Sequence, residues 1–316
     1  MVAQKEMAST RETYGRTLLE LADAHPEIVV LGGDLNVSGF THMWRDQYPD
    51  RFFDFGPAEQ NMVGVGAGLA ASGKTPFVST FAVFGVGRPF DQLRVLVAQA
   101  HLNLKLVCTH AGIMTGEDGM SAHAIEDLAL ACSLDGFTVV VPADAPETAQ
   151  AVRAAVTTDG PFYIRLSRAA TPVIHGPSYK FEIGRAETLR QGQDLTIIAT
   201  GVMAAVALDA AELLAQSGIQ ARVVHMGTLK PTDETAIISA ARETGAIVTA
   251  EEHYIHGGLG SIVAQVVGRN HPVPLEMVAL QGYAVSGKAE ELMVRCGLSP
   301  EHVRAAGEAA LRRKQS

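Results

Sequence analysis

The feature that most constrains the fold is a regular alternation of short apolar runs with amphipathic stretches. In the first half of the chain, apolar runs predict strands at 28–31, 75–78, 104–109, 138–141 and 162–166. The stretches between them predict helices at 14–24, 61–71, 87–100, 124–131 and 147–157. The S-x-x-E pattern from Ser9 to Glu12 predicts a capping box before the first helix. Continuous apolar strands alternating with helices indicate a parallel sheet covered on both faces.

The same pattern resumes after an interruption rich in proline and glycine. Residues 169–180 contain Thr171-Pro172 and Gly176-Pro177, which are typical of a linker. Beyond it we expect strands at 195–199, 221–226, 246–250 and 275–280, and helices at 202–217, 233–244 and 260–268. The sequence therefore predicts two parallel-sheet-based α/β domains, at 1–170 and 184–316, joined by a linker at 171–183.

Composition narrows the class of protein. The 316 residues are 47% hydrophobic, enough for large buried cores, and the net charge of -9 argues against a general nucleic-acid surface. Three dispersed cysteines form neither a disulfide framework nor a C-x-x-C site, so they are interpreted as buried thiols in a reducing compartment. Without a signal-like N-terminus or a long apolar run, we expect a cytoplasmic protein that binds neither membranes nor nucleic acid.

A carboxylate followed by aromatic residues suggests coenzyme chemistry. Glu59 lies at the start of a predicted helix containing Gly64, Gly66 and Gly68, and the Ser79-Thr80-Phe81 strand end follows about twenty residues later. A partly desolvated carboxylate there is suited to sharing a proton with a heteroaromatic nitrogen. Each glycine disfavours a helix by roughly 1 kcal/mol relative to alanine, so their spacing predicts close approach of another helix or a ligand. Glu59 alone would also fit a helix dipole, and Phe81 and Phe84 would fit an ordinary core.

Three further clusters lie where predicted strands end, which is the edge where open α/β sheets carry their chemistry. They are Thr109-His110 running into Gly116-Glu117-Asp118-Gly119, Arg165 to Arg168, and Glu251-Glu252-His253 followed by glycines up to Gly260.

Taken in order, these motifs resemble the transketolase family of thiamine-diphosphate enzymes, particularly the smaller chain of transketolases divided into two subunits. The matching stretches, which span nearly the whole sequence, are Gly56-Pro57-Ala58-Glu59-Gln60-Asn61, Ser79-Thr80-Phe81, Thr109-His110, Gly116-Glu117-Asp118-Gly119, Leu166-Ser167-Arg168 and Glu251-Glu252-His253 to Gly260. The resemblance implies a pyrimidine-binding domain followed by the transketolase C-terminal domain.

The resemblance also implies roles for individual residues. Glu59 would be a catalytic group that hydrogen-bonds N1' of the coenzyme's aminopyrimidine, and Phe81 and Phe84 would enclose that ring. His110 would be both catalytic and substrate-binding. Arg11, Ser38 and Arg168 would hold a sugar phosphate with it, since an arginine fork suits phosphate oxygens, and Asp118 would recognise a donor hydroxyl.

Departures from the family pattern fall on the active-site loop and near the coenzyme. Ala122 occupies the position of a family histidine, so either His123 substitutes for it or that group is absent. Gly87 stands where long-chain relatives carry a tyrosine, and 281–287 replaces a motif usually richer in acid and arginine. The sugar pair therefore stays open between pentose-pathway sugars and others.

The family's Gly-Asp-Gly motif with a later Asn, which holds Mg2+ and the coenzyme diphosphate, is not found in these 316 residues. We therefore expect no metal ligands in this chain and a partner N-terminal subunit that supplies the site, in an α2β2 assembly. The predicted activity is two-carbon ketol transfer from a ketose phosphate to an aldose phosphate. The alternatives are the β subunit of a 2-oxo-acid dehydrogenase and a non-catalytic scaffold homologue.

Overall fold

The computed structural model describes residues 6–315. The strands are β1 (Met7–Ala8), β2 (Ile28–Gly32), β3 (Phe52–Asp54), β4 (Thr75–Phe81), β5 (Lys105–Thr109), β6 (Thr138–Val140), β7 (Phe162–Arg165), β8 (Thr171–Pro172), β9 (Glu187–Arg190), β10 (Leu195–Ala199), β11 (Ala221–His225), β12 (Thr228–Lys230), β13 (Ile247–Tyr254) and β14 (Leu275–Leu280). The helices are α1 (Thr10–Leu21), α2 (His42–Gln47), α3 (Glu59–Ala71), α4 (Ala82–Gly87), α5 (Phe90–Gln92), α6 (Asp127–Ser133), α7 (Ala145–Thr157), α8 (Met203–Gln216), α9 (Glu234–Thr244), α10 (Leu259–Asn270), α11 (Ala289–Arg295) and α12 (Pro300–Gln315). Pro49–Arg51 and Ile113–Asp118 are 3₁₀ segments, and Leu93–Ala98 is a π-helical turn.

A seven-stranded sheet organises the first half, in the order β12-β6-β7-β5-β4-β2-β3. The six strands from the first half pair in parallel, and β12 adds an antiparallel edge from the second half. Phe81 at the end of β4 lies opposite Thr109 at the end of β5. This register brings the aromatic motif and His110 to the same edge of the sheet.

A five-stranded sheet organises the second half, in the order β14-β13-β10-β11-β9. Strands β14, β13, β10 and β11 are parallel, and β9 is an antiparallel edge. Apolar residues from helices and strands share continuous buried clusters, which include Val63 of α3 and Leu31 of β2 in one, and Leu214 of α8 and Leu195 of β10 in the other. The predicted fold class, α/β built on parallel sheets, is confirmed.

Two predicted helices have the wrong bounds. Instead of a helix over 87–100, α4 begins directly after Phe81, and Pro89, which lacks an N–H, ends it before the π-helical turn. The helix predicted over 124–131 begins at Asp127, because Ala124 pairs with Ala111 and its carbonyl accepts a hydrogen bond from Gly112 at 2.9 Å. A proline breaks the first of these helices locally, whereas long-range pairing overrides helix propensity at the second.

The first helix begins directly after the predicted cap at Ser9, but it spans Thr10–Leu21 instead of the predicted 14–24, and only half of the capping box forms. The Ser9 hydroxyl accepts a hydrogen bond from the Glu12 N–H at 3.2 Å, but the Glu12 carboxylate binds Arg16 instead of returning to Ser9. The sequence did not predict the short strands β1, β3, β8, β9 and β12, which all lie at sheet edges or in the two-stranded β1–β8 pair.

Among the described residues, one of the three helical glycines, Gly66, has a close neighbour. A Cβ on Gly66 would lie 3.0 Å from Leu104 and 3.1 Å from Val78, so α3 needs glycine there to approach the sheet. A Cβ on Gly64 or Gly68 would meet nothing within 4 Å among the described residues. The close neighbour of Gly66 is thus the sheet, where the sequence predicted another helix or a ligand. Between residues 6 and 315, no helix is long and apolar enough to span a bilayer.

Candidate active site at the carboxyl ends of β4 and β5

Glu59 begins α3 and its side chain is 2% exposed. One guanidinium nitrogen of Arg88 lies 2.8 and 2.9 Å from its two carboxylate oxygens. The half-exposed Arg88 follows the end of α4, and its carbonyl accepts a hydrogen bond from Gln60. These residues line an open cavity of about 370 Å³ together with 57–61. A buried carboxylate therefore faces a solvent-accessible hollow and has one half-exposed cationic partner.

A row of stacked groups leads from Arg88 into the sheet edge. The Arg88 guanidinium carbon lies 4.0 Å from the centre of the Phe84 ring, and Phe84 and Phe81 are near-parallel with centroids 6.1 Å apart. Phe81 in turn stacks on the His110 imidazole at 3.6 Å. The structure therefore aligns four predicted residues, Glu59, Phe84, Phe81 and His110, through an arginine that the sequence analysis did not single out.

His110 is held in a fixed orientation just beyond β5. It adopts the left-handed region with φ of 57°, its Nδ1 lies 2.9 Å from the Thr109 hydroxyl, and its carbonyl accepts a hydrogen bond from Thr115 at 2.6 Å. Burial lowers the pKa of His110 to about 3, with the nearby charges of Arg11 and Arg168 adding to the effect. The imidazole is therefore neutral near pH 7 and suited to hydrogen bonding.

Two arginines flank His110. Arg11 donates to the Ser38 carbonyl at 2.6 Å, and Arg168 donates to the Thr115 carbonyl at 2.9 Å. Burial, and then the charge of Arg168, lowers the pKa of Arg11 from its ordinary value. The Arg11 Nε is buried and has no hydrogen-bond partner within the described chain. Two positive charges close to each other favour the binding of an anion between them. The backbone carbonyl of Ser38 holds the Arg11 side chain in place.

The loop after His110 separates two other predicted residues. Asp118 is exposed at the end of the 3₁₀ segment, whereas His123 is 1% exposed and its Nε2 lies 2.9 Å from the Gly116 carbonyl. His123 Nδ1 has no hydrogen-bond partner among residues 6–315, and Ala122 beside it is buried. The imidazole of His123 therefore braces the loop from inside.

Comparison with known proteins decides the family. Residues 6–173 match the family described as transketolase, pyrimidine binding domain, and residues 184–303 match transketolase, C-terminal domain. The chain belongs to the transketolase family. The resemblance predicted from the sequence motifs is confirmed.

Transketolase-family relatives of similar length cover nearly the whole chain. A putative transketolase C-terminal section from Methanocaldococcus jannaschii is 42% identical, and the alignment covers 93% of each chain. The 6-deoxy-6-sulfo-D-fructose transketolase subunit of Clostridium sp. strain MSTE9 is also 42% identical, over 96% of this chain and 95% of its own. The chain spans about half of the human transketolase-like protein 2, at 41% identity over 94% of its own length.

A solved structure shares this transketolase fold closely. It is described as a split gene transketolase, inactive beta4 tetramer, and is 46% identical with a TM-score of 0.91 over 97% of this chain and 99% of that one.

The family's domains imply thiamine diphosphate, and the residues present fit the pyrimidine end of that coenzyme. Its aminopyrimidine is a flat ring with a basic nitrogen. Glu59 offers a buried carboxylate, which Arg88 links to the parallel rings of Phe84 and Phe81. The fit requires the Arg88 guanidinium to leave Glu59, which its half-exposed side chain permits.

Sequence reasoning missed the residues that hold this transketolase loop in place. Glu252 Oε1 accepts a hydrogen bond from the Met114 N–H at 2.6 Å, and burial raises the pKa of Glu252 to about 7. Gly112 has φ of 72°, and a Cβ there would lie 2.2 Å from the Glu252 carboxylate. The buried Arg165 side chain donates one hydrogen bond to the Asp127 carboxylate at 2.7 Å and another to the Glu252 carbonyl at 3.0 Å. Both motifs are visible in the sequence at predicted strand ends, but only the fold brings Glu252 of β13 to the loop.

Arg88 could have been found from spacing. It follows Phe84 by four residues, and side chains four apart in a helix lie on one face. That signal would have predicted a cation beside the ring, although not its pairing with Glu59, which is 29 residues away.

Proposed function

We propose that this chain is the C-terminal subunit of a two-component transketolase that moves a two-carbon ketol unit from a ketose phosphate to an aldose phosphate. The observation that carries the proposal is the row from buried Glu59 through Phe84 and Phe81 to His110, which ends between Arg11 and Arg168. One end suits a coenzyme ring and the other a phosphate.

Each residue of the row has a separate task in this proposal. Glu59 shares a proton with the pyrimidine nitrogen of thiamine diphosphate, while Phe84 and Phe81 hold the ring by stacking. When bound, the coenzyme supplies the carbon nucleophile that cleaves the donor sugar. Neutral His110 hydrogen-bonds a sugar hydroxyl or carbonyl.

The remaining predicted residues would act on the sugar. Arg11, anchored on Ser38, and Arg168 hold the phosphate by charge-assisted hydrogen bonds. Asp118, exposed on the loop, recognises a donor hydroxyl. His123 would take the place of the family histidine only if the loop moves, because its ring is buried against Gly116.

The second subunit follows from the same proposal. Relatives named as a C-terminal section and as a transketolase subunit match this chain over its length, and a structure of similar extent is described as inactive. We infer that an N-terminal subunit holds Mg2+ and the coenzyme diphosphate in a cytoplasmic α2β2 assembly. We also propose domains at 1–170 and 184–316, with residues 171–183 as the connection.

The rival functions gain unequal support. The matched families and relatives are described as transketolases, so they do not favour the 2-oxo-acid dehydrogenase alternative. The similar tetramer is described as inactive, which keeps the scaffold alternative open for a chain without its partner.

The decisive experiment is reconstitution. The chain is co-purified with a partner carrying Gly-Asp-Gly and the downstream Asn, and ketol transfer is measured over a panel of ketose and aldose phosphates. We expect activity only with both chains, and its near-complete loss in Glu59→Gln. The exposed Glu290→Gln is the matched control and should keep full activity. Full activity in Glu59→Gln would refute the assignment, and inactivity of the complete assembly on every sugar would favour the scaffold.

A further inference from the structure

The loop that follows β5 is contacted by a side chain at each of four successive residues. Its backbone groups at 114, 115, 116 and 117 are bound in that order by Glu252, Arg168, His123 and Ser286. Two of these side chains come from the second half of the chain, Glu252 from β13 and Ser286 from the segment after β14. The second half therefore holds the loop at two points.

The same loop carries the groups that the proposed function assigns to the sugar. His110 begins it, and Asp118 lies at the end of its 3₁₀ segment. The Thr115 hydroxyl donates to the His110 carbonyl at 2.6 Å, and the Thr115 carbonyl accepts a hydrogen bond from Arg168 at 2.9 Å. A shift of the loop would therefore displace all three sugar-binding side chains together.

The contact between Glu252 and the loop is tight. The Glu252 side chain is buried, and its Oε1 accepts the hydrogen bond from the Met114 N–H at 2.6 Å. Gly112 has φ of 72°, and a Cβ there would lie 2.2 Å from the Glu252 carboxyl, so a larger residue would push the loop away. The loop is thus shaped to lie against this one carboxyl.

We propose that Glu252 is a positioning residue for the sugar phosphate. It holds the loop at Met114, and through the loop it places the sugar-binding groups, which are His110, Asp118 and Arg168. The inference rests on the proposed ketol transfer and gives the second half of the chain a part in substrate binding. Glu252 acts through the loop and contacts neither sugar nor coenzyme.

The protonation of Glu252 links the loop to pH. Burial raises the pKa of Glu252 to about 7, with the facing charges of Arg165 and Asp127 lowering and raising it in turn. In an open loop the carboxyl would be hydrated and would return towards its ordinary pKa of 4.5. Because the closed form binds the proton more tightly, the closed loop loses stability relative to the open one as pH rises through 7.

The first test measures the loop without measuring activity. In the full chain, hydrogen exchange of the amides at 110–119 should be about tenfold faster in Glu252→Ala than in the unchanged protein, because Met114 loses its acceptor. Glu252→Gln keeps an acceptor oxygen but cannot ionise, so at pH 8 its loop should exchange more slowly than that of the unchanged protein. If Glu252→Ala fails to fold, Glu252→Gln decides. Unchanged exchange at 110–119 in the folded variants would overturn the proposal.

The second test uses the reconstituted assembly. Glu252→Ala should raise KM for the ketose phosphate about fivefold and change kcat less than about twofold, as expected for the loss of one hydrogen bond that acts on substrate position. Between pH 7 and pH 8, KM should rise more in the unchanged protein than in Glu252→Gln. The sugar phosphate titrates identically with both proteins, so it does not affect this comparison. Equal pH dependence in the two proteins would contradict the role of Glu252.

Glu251 provides the matched control. It is the buried neighbour of Glu252 on β13, and burial raises its pKa to about 7 as well, but its carboxylate accepts hydrogen bonds from Leu259 and Gly260 at the start of α10. Glu251→Gln should keep the KM of the unchanged protein and its pH dependence. The same changes in both Gln variants would overturn the proposal. A loosened loop in Glu252→Ala, together with an assembly that transfers no ketol unit, would count against the proposed function alone.

Discussion

One guanidinium nitrogen of Arg88 lies within 2.9 Å of both carboxylate oxygens of Glu59, and the same guanidinium covers the face of Phe84. Arg88 thus contacts the two groups that, in the proposed function, hold the coenzyme ring. The Arg88 guanidinium therefore neutralises the Glu59 carboxylate until the coenzyme ring takes its place.

Removal of this counter-charge should destabilise the chain measured alone. Arg88→Ala leaves a buried carboxylate with fewer partners, so we expect the free energy of unfolding to fall by about 1–3 kcal/mol. Urea unfolding of Arg88→Ala, Glu59→Ala and the double variant measures the coupling between the two residues. If the loss of unfolding free energy in the double variant equals the sum of the two single losses, the interaction between Arg88 and Glu59 contributes nothing to stability.

His110 should make the free energy of unfolding depend on pH. Its folded pKa of about 3 lies below the ordinary 6.5, so the unfolded chain binds a proton that the folded chain does not. The folded state therefore loses stability as pH falls from 6.5 towards 3, by about 2 kcal/mol between pH 7 and pH 5. Urea unfolding at pH 7 and pH 5 should show a smaller loss of unfolding free energy in His110→Asn than in the unchanged protein. Equal losses in the two proteins would contradict a neutral His110 imidazole.

Charge at the far end of the row should control substrate affinity. In the reconstituted enzyme, Arg168→Ala should raise KM for a sugar phosphate at least tenfold and change kcat less, because a charge-assisted hydrogen bond contributes about 1.5–3 kcal/mol. Arg11→Ala should behave similarly. The exposed Arg153→Ala serves as the control, and an unchanged KM in both site variants would remove the phosphate role.

The glycines of α3 provide a prediction about packing. Gly68→Ala should raise the free energy of unfolding by about 0.5–1 kcal/mol, since alanine favours the helix and its Cβ meets nothing within 4 Å in the described chain. Gly66→Ala should lower it, because the new methyl presses on Leu104 and Val78. Thermal unfolding measures both variants, and equal shifts in melting temperature would contradict the close approach of α3 to the sheet at Gly66.

The sequence by itself determined the α/β class, the carboxylate at the start of α3 and the family. Apolar runs are local patterns, and motifs such as Gly56-Pro57-Ala58-Glu59 are contiguous, so neither needs the fold to be recognised. The predicted residues Phe81 and His110 are brought together by parallel strands whose ends share one edge of a sheet, which the alternation of strands and helices already indicated.

Only the tertiary structure decided which groups meet across long separations. Arg88 reaches Glu59, Glu252 holds the loop after His110, and His175 and His225 join Glu147 near the connecting segment. It also kept Ala124 extended, because that residue pairs with Ala111. Local propensity is weak compared with the burial and hydrogen bonding that strands and helices gain when they pack. Contacts between residues far apart in the chain are therefore fixed by the fold.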